Sequence, residues 1–256
     1  MDRHIDFEGI ENFRDFGGYA TASGGQVRRG VLYRSAHHAE ATEADLERLR
    51  ELGIQVVVDL RKAHERHRAP CRHDAYARRI IANDLGEHTD NWVESLKGIE
   101  PDADWFRNDC LTFYREAPFE ERHIDLFSRW FHELAASDGA VLVHCAAGKD
   151  RTGMICALTH HIAGVHEDDI LHDYLLTNDE TRIARRIPAL ATLIEGFGGI
   201  RPTDEAVRVA CSVYPEYLQI AFDRMSEECG SLDGYLEQAL GVDAALREKI
   251  AARILA

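Results

Sequence analysis

Cys145 and Arg151 stand six positions apart in the stretch His144-Cys145-Ala146-Ala147-Gly148-Lys149-Asp150-Arg151-Thr152-Gly153. A thiolate attacks electrophiles such as phosphorus, and a guanidinium presents a planar fork that matches two phosphoryl oxygens. The stretch follows the apolar run Ala140-Val141-Leu142-Val143, which reads as a buried strand, and precedes Met154 to Leu158, which reads as a helix. A loop that opens a helix aims unpaired backbone N–H groups at one point, and the helix dipole adds positive potential there. Ala146, Ala147 and Gly148 are small enough to let those groups converge. Cys145 is therefore expected as a thiolate nucleophile, Arg151 as the clamp on phosphoryl oxygens, and Ala146, Ala147 and Gly148 as a backbone cradle. Lys149 is expected to contact phosphate. For His144 two roles stand side by side, holding the loop by hydrogen bonds or tuning the thiolate. Thr152 either donates to the thiolate or caps the helix.

Other readings of the stretch fit less well. An inert strand-end cysteine leaves Lys149, Asp150 and Arg151 unexplained. A nucleotide P-loop needs glycine where Val143 stands and a hydroxyl where Asp150 stands. A sulfurtransferase loop differs in length.

The full pattern, His-Cys-x-x-Gly-Lys-Asp-Arg-Thr-Gly, resembles the loop of cysteine-dependent phosphatases of the protein tyrosine phosphatase type, in a bacterial branch of broad specificity. Asn12 to Tyr19, Gly30 to Ala36, and Val58-Asp59-Leu60-Arg61 with Glu65 resemble further motifs of that branch. So do Tyr217-Leu218 and Gly230 to Leu236. The resemblance implies a cysteine-phosphatase fold of the α/β class, with a central, mostly parallel sheet flanked by helices. It implies phosphomonoester hydrolysis through a thiophosphoryl enzyme, on phosphotyrosine and in some members on phosphoserine, phosphothreonine or phosphoinositides. No upstream Trp-Pro-Asp loop is visible, and Pro101-Asp102 lacks the tryptophan. The branch assigns the general acid to the aspartate within the loop, which maps onto Asp150. Asp59, at the end of an apolar strand, is the alternative acid, with a turn cap as its plain reading. Arg14, Arg34 and Arg61 each follow an apolar segment, as cleft-lining groups or as structural ion-pair partners.

Composition narrows the partners. The formal charge of −15 argues against nucleic acid, which demands a basic surface. Six scattered cysteines suggest reduced thiols rather than a disulfide framework. The fourteen histidines include His160, His161 and His166, and His64 and His67, read as solvated side chains. No metal and no cofactor is expected. No apolar run approaches membrane-spanning length, and the polar start lacks a signal-peptide core. The chain reads as cytoplasmic, with secretion by a route without a cleaved signal left open.

The chain of 256 residues reads as one phosphatase domain over 1–256, strand-and-helix first and helical in its C-terminal half. Thr42 with Asp45 opens a helix that Gly53 ends. Ile54 to Leu60 and Arg79 to Ala82 read as strands, and Glu120 to Ala136 as an amphipathic helix. Residues 86–118 are ambiguous, with Trp92 and Trp105 as packing anchors. Three stripes follow: Leu218, Ala221, Phe222 and Met225; Leu232, Leu236 and Leu240; Leu246, Ile250 and Ile254. Residues 178–213 break the core pattern and are expected as a helical lid or as a fixed surface hairpin. In the lid reading Pro188 interrupts the segment, Gly196, Gly198 and Gly199 form a hinge, and Arg182, Arg185 and Arg186 meet anionic substrate. The alternatives to a protein phosphatase are a phosphoinositide or inositol-phosphate phosphatase using the same loop, favoured by Lys149, and a catalytically silent phosphate-binding module.

Overall fold

Two apolar runs set the centre of the structure. The computed structural model describes residues 3–86 and 95–256. The elements run β1 (Arg14–Asp15), β2 (Leu32–Ser35), α1 (Glu43–Glu51), β3 (Ile54–Asp59), α2 (Ala63–Arg68), β4 (Arg79–Ile81), α3 (Ala103–Glu116), α4 (Glu121–Ala136), β5 (Ala140–His144) and α5 (Asp150–Ile162). Helices alone follow among the described elements: α6 (Glu167–Leu175), α7 (Glu180–Gly198), α8 (Asp204–Cys211), α9 (Pro215–Cys229), α10 (Leu232–Gln238) and α11 (Ala244–Ile254). Trp92 lies outside the described residues.

The sheet order is β1-β2-β5-β3-β4, with β1 antiparallel and the rest parallel. β3 and β5 are central and buried on both faces, which is why their sequences are continuously apolar rather than alternating. Val56, Val58, Val141 and Val143 face a core shared with Trp130 and Phe131 of α4. Ile54, Val57, Ala140 and Leu142 face the other side, against Leu46 and Leu49 of α1. Each fully buried aliphatic side chain contributes about 1.5–3 kcal/mol. The three C-terminal stripes become α9, α10 and α11, and their buried residues belong to the same core as the sheet. The expected mostly parallel sheet and helical C-terminal half are both present.

Local signals act as their chemistry requires. Thr42 Oγ1 accepts from Asp45 N–H at 3.2 Å, and Asp45 returns a bond to Thr42 N–H at 3.1 Å. Asp102 is an exposed cap: it accepts from Trp105 N–H at 2.8 Å and so resolves the ambiguous stretch into α3.

The segment 178–213 differs from expectation in two ways. Pro188 lies inside α7 without ending it, at an exposed position. The glycines do not form a hinge at its base. Gly196 and Gly198 are within the helix, and Gly199, at φ 80°, turns the tip of an α7–α8 hairpin. The hairpin has its own apolar core, with Ile183, Ile187, Ile194 and Val207 packed around Phe106 of α3. His160 is also not solvated. It is buried, with Nε2 2.8 Å from the Phe16 carbonyl and its ring edge-on to Phe16 and Tyr19.

Candidate active site

The loop between β5 and α5 is held from behind through its carbonyls. His37 N–H donates to Ala146 O at 3.1 Å. Asn12 Nδ2 donates to Ala147 O at 3.2 Å and to Gly148 O at 2.9 Å. Arg34 Nη2 adds a bond to Gly148 O at 3.1 Å. With the carbonyls drawn backwards, the N–H groups face the other way. Among the described residues those of Ala146 to Lys149 find no protein acceptor. That is a backbone nest suited to an anion. Gly148 is required here: its φ is 67°, and a Cβ would sit 2.3 Å from the Ser35 carbonyl oxygen.

Cys145 opens the nest and is 2 % exposed. Arg151 is fixed at the other end of the loop. Its Nη1 and Nη2 donate to Glu65 Oε2 and Oε1 at 2.6 and 2.8 Å, and Nη1 also reaches Leu60 O at 3.1 Å. Burial alone would raise the Glu65 carboxyl; the Arg151 charge, its hydrogen bonds and the Lys62 N–H hold it at about 2. Glu65 therefore stays ionised and orients the guanidinium.

The remaining candidates sit behind or beside the nest. Arg14 does not line the cleft. It is fully buried beneath the sheet edge, with Nη1 on Asn12 Oδ1 at 2.6 Å and Nε 3.4 Å from Asp173. Arg34 pairs with the same carboxylate at 2.8 Å. Burial opposes ionisation of Asp173, but the two arginines hold it at about 2. An N-terminal motif thus fixes the loop through Asn12, and Asp173 on α6 anchors the motif.

Asp59 is a buried carboxylate engaged by Arg61. Arg61 N–H and Nε bond Oδ1 at 3.0 and 2.9 Å, and Nη2 bonds Oδ2 at 2.7 Å. Burial pushes Asp59 up, yet His144 and Arg61 keep it well below the usual carboxylate range. His144 Nδ1 is 3.1 Å from the Cys145 carbonyl and Nε2 is 3.0 Å from His73 Nε2. A carbonyl only accepts, so Nδ1 carries the hydrogen and His73 donates to Nε2. Burial pushes both rings below the ordinary histidine value, His73 to about 3. Asp59, His73 and His144 bring ligand-type atoms within 4.8 Å of one another. Arg61 donates to both Asp59 oxygens and His144 bonds the Cys145 carbonyl, so the group is hydrogen-bonded to the start of the loop.

Lys149 does not stand free over the nest. Its Nζ donates to Ser212 O at 3.0 Å and lies 3.2 Å from Asp150 Oδ1. Thr152 Oγ1 is buried without a hydrogen-bond partner, so it neither caps the helix nor reaches the thiol. Asp150, the first residue of α5, lines the cleft together with Cys145 and Arg151. The cleft has a volume of about 400 Å³. Phe106 and Phe113 of α3 and Leu190, Leu193 and Phe197 of α7 form apolar walls. Arg186 reaches it but pairs with Glu11 at 2.7 Å; Arg182 is buried on backbone carbonyls, and Arg185 is exposed.

Glu65 had a visible sequence signal, its place four residues after Arg61, but no signal of its role. Asn12 had a signal as the first residue of the N-terminal motif, though not of its role; His73, Tyr114 and Asp173 carry none beyond residue type, because their partners are distant in the chain.

Comparison with known proteins adds to this geometry. The profile of the tyrosine phosphatase family matches residues 5–256. A Cupriavidus necator protein whose name assigns it as a tyrosine-protein phosphatase is 33% identical over 249 residues, covering 95% of this chain and 86% of its own. The triple specificity protein phosphatase PtpB of Mycobacterium tuberculosis is 32% identical over 267 residues, covering 90% of this chain and 92% of its own. A tyrosine-protein phosphatase of Nostoc commune is 32% identical over 157 residues, covering 57% and 48%.

Proposed function

The chain belongs to the tyrosine phosphatase family and is a phosphatase, and from that premise we propose that it hydrolyses phosphotyrosine by a cysteine mechanism. Cys145 Sγ attacks phosphorus, and the bond from phosphorus to the ester oxygen breaks. The leaving oxygen takes its proton from Asp150. Arg151 and the N–H groups of Ala146 to Lys149 hold the equatorial oxygens while charge develops on them. Water then attacks the thiophosphoryl enzyme, Asp150 accepts its proton, and phosphate departs with Cys145 restored as thiolate. The observation that carries this reading is the convergence at one cleft of a buried thiol, an unpaired amide nest and a guanidinium fixed by Glu65.

The apolar, aromatic walls favour an aryl phosphate. The name of the triple specificity relative is in keeping with a range of substrates wider than phosphotyrosine alone. The phosphoinositide reading is the second one: Lys149, which favours it, lines the cleft but also bonds Ser212 O and lies beside Asp150. A turnover panel of phosphotyrosine, phosphoserine and phosphothreonine peptides and phosphoinositide vesicles, at fixed salt, tests this. Phosphotyrosine peptides are expected to turn over fastest; hydrolysis of phosphoinositides alone would overturn the assignment.

Asp150 is proposed as the acid over Asp59 and Asp102. Asp59 is engaged by Arg61 and Asp102 caps an exposed helix end. Asp150→Asn is expected to slow aryl phosphates with poor leaving groups by about 10²-fold or more, and good ones far less, as loss of general acid catalysis requires. A leaving-group dependence altered only in Asp59→Asn or Asp102→Asn would move the acid there.

The α7–α8 hairpin is proposed as a lid. It leaves the body at two adjacent points: Asn178 Nδ2 donates to Val213 O at 2.7 Å and Asn178 Oδ1 accepts from Val213 N–H at 2.9 Å. The movement is placed at this base, with the apolar face of the hairpin parting from Phe106 of α3. Hydrogen exchange should show residues 180–210 gaining protection on addition of vanadate. High protection that vanadate leaves unchanged would make the hairpin a fixed wall.

A further inference from the structure

Asp150 is not free to turn within its loop. Its Oδ1 accepts from Tyr114 OH at 3.0 Å and lies 3.2 Å from Lys149 Nζ. Oδ2 has no protein hydrogen-bond partner among the described residues. Tyr114 is fully buried on α3, the helix whose other residues wall the cleft. Its oxygen is 2.7 Å from the hydroxyl of Tyr174, buried on α6. Tyr114 has one hydroxyl proton and spends it on Asp150, so Tyr174 must donate to Tyr114. Burial pushes both phenols well above their ordinary value, with the Asp150 charge adding to it. Both therefore remain donors.

The loop motif itself makes room for this pair. A Cβ at Gly153 would lie 2.7 Å from Tyr174 Cε2. The ring of Tyr174 thus packs directly on the first turn of α5, three residues from Asp150. That glycine has no positive φ and turns no corner. Its absent side chain is the space that Tyr174 fills.

We propose that Tyr114, backed by Tyr174, is a positioning residue for the general acid, fixing the Asp150 carboxyl so that its transferable proton is carried on Oδ2. Oδ1 already meets a hydroxyl donor and an ammonium, and a third hydrogen there is disfavoured. In the first step the bond from Oδ2 to hydrogen breaks as the leaving oxygen takes the proton. The Tyr114 proton stays where it is. This rests on Asp150 being the acid, and it adds residues from two helices that the chemistry does not otherwise use.

The test compares wild type, Tyr114→Phe, Tyr174→Phe, Asp150→Asn and the double variant Tyr114→Phe/Asp150→Asn on aryl phosphates spanning a range of phenol acidity. Tyr114→Phe is expected to slow the poorest leaving group about tenfold, the equivalent of one net hydrogen bond, and the best less than twofold. Tyr174→Phe should act in the same direction, more weakly, and serves if Tyr114→Phe does not fold. In the Asp150→Asn background the loss of Tyr114 OH should add nothing, since coupled residues are not additive. A purely structural hydroxyl would slow every substrate alike and remain additive with Asp150→Asn; that outcome overturns the proposal while leaving the acid assignment intact. A flat leaving-group dependence in Asp150→Asn would instead remove the acid assignment, and the proposal with it.

Discussion

Replacing Cys145 with serine is expected to abolish turnover, by roughly 10⁴-fold or more, as loss of a catalytic nucleophile does elsewhere. A hydroxyl at its free pKa is a weak nucleophile, far weaker than a thiolate. The change removes one atom's chemistry and leaves the amide nest, Arg151 and Glu65 in place. Binding of inorganic phosphate should therefore survive within about threefold, a small free-energy change on the affinity scale. The measurements are kcat for an aryl phosphate and a calorimetric Kd for phosphate on the same preparation. Activity within tenfold of wild type would end the thiolate mechanism.

Arg151→Lys is expected to lose both, with turnover down about 10³-fold, in line with removal of a transition-state donor. An ammonium cannot reproduce two N–H bonds to Glu65 at 2.6 and 2.8 Å while presenting a fork to phosphate. Glu65→Gln should lower kcat more mildly, about tenfold, because Arg151 keeps its charge and loses its orienting partner. The pH dependence follows from Glu65. Its folded-state value, about 2, is below the ordinary 4.5. The pair's stabilisation is thus complete above about pH 4.5 and is lost as pH falls toward 2. An acid-unfolding midpoint that Glu65→Gln leaves unmoved would show the pair to be unimportant for stability. An Arg151→Lys enzyme with wild-type kcat would remove Arg151 from the mechanism.

The α7–α8 hairpin shows where local signals and packing part. Glycines and a proline suggest a joint, but α7 continues through Pro188 and Gly196, because the apolar face built by Ile183, Ile187 and Ile194 packs on Phe106. Tertiary burial outweighs the local cost of a proline at an exposed helix position. Lys149 gains a partner that linear reading cannot supply: it lines the cleft beside the nest, and the chain that returns after α8 offers its Nζ the Ser212 carbonyl.

The sequence by itself determined the loop that opens α5 and the apolar runs that became β3 and β5. Both are contiguous: a buried strand, the loop Cys145 to Lys149 and a helix start fix the direction of their own N–H groups through local backbone geometry. The tertiary structure alone decided which partner each buried charge meets. Arg14, Arg34 and Arg61 look alike in the chain, and only Arg151 is set apart, by its spacing from Cys145. Most of their partners are brought from afar: Glu65 to Arg151 across 86 positions, Asp173 to Arg34 across 139, and Tyr114 to Asp150 across 36, whereas Arg61 takes its near neighbour Asp59 at the end of β3. Burying a charge is tolerable only with a matched partner. Which carboxylate, carbonyl or phenol arrives beside it is set by how the helices pack on the sheet, and no local spacing encodes that.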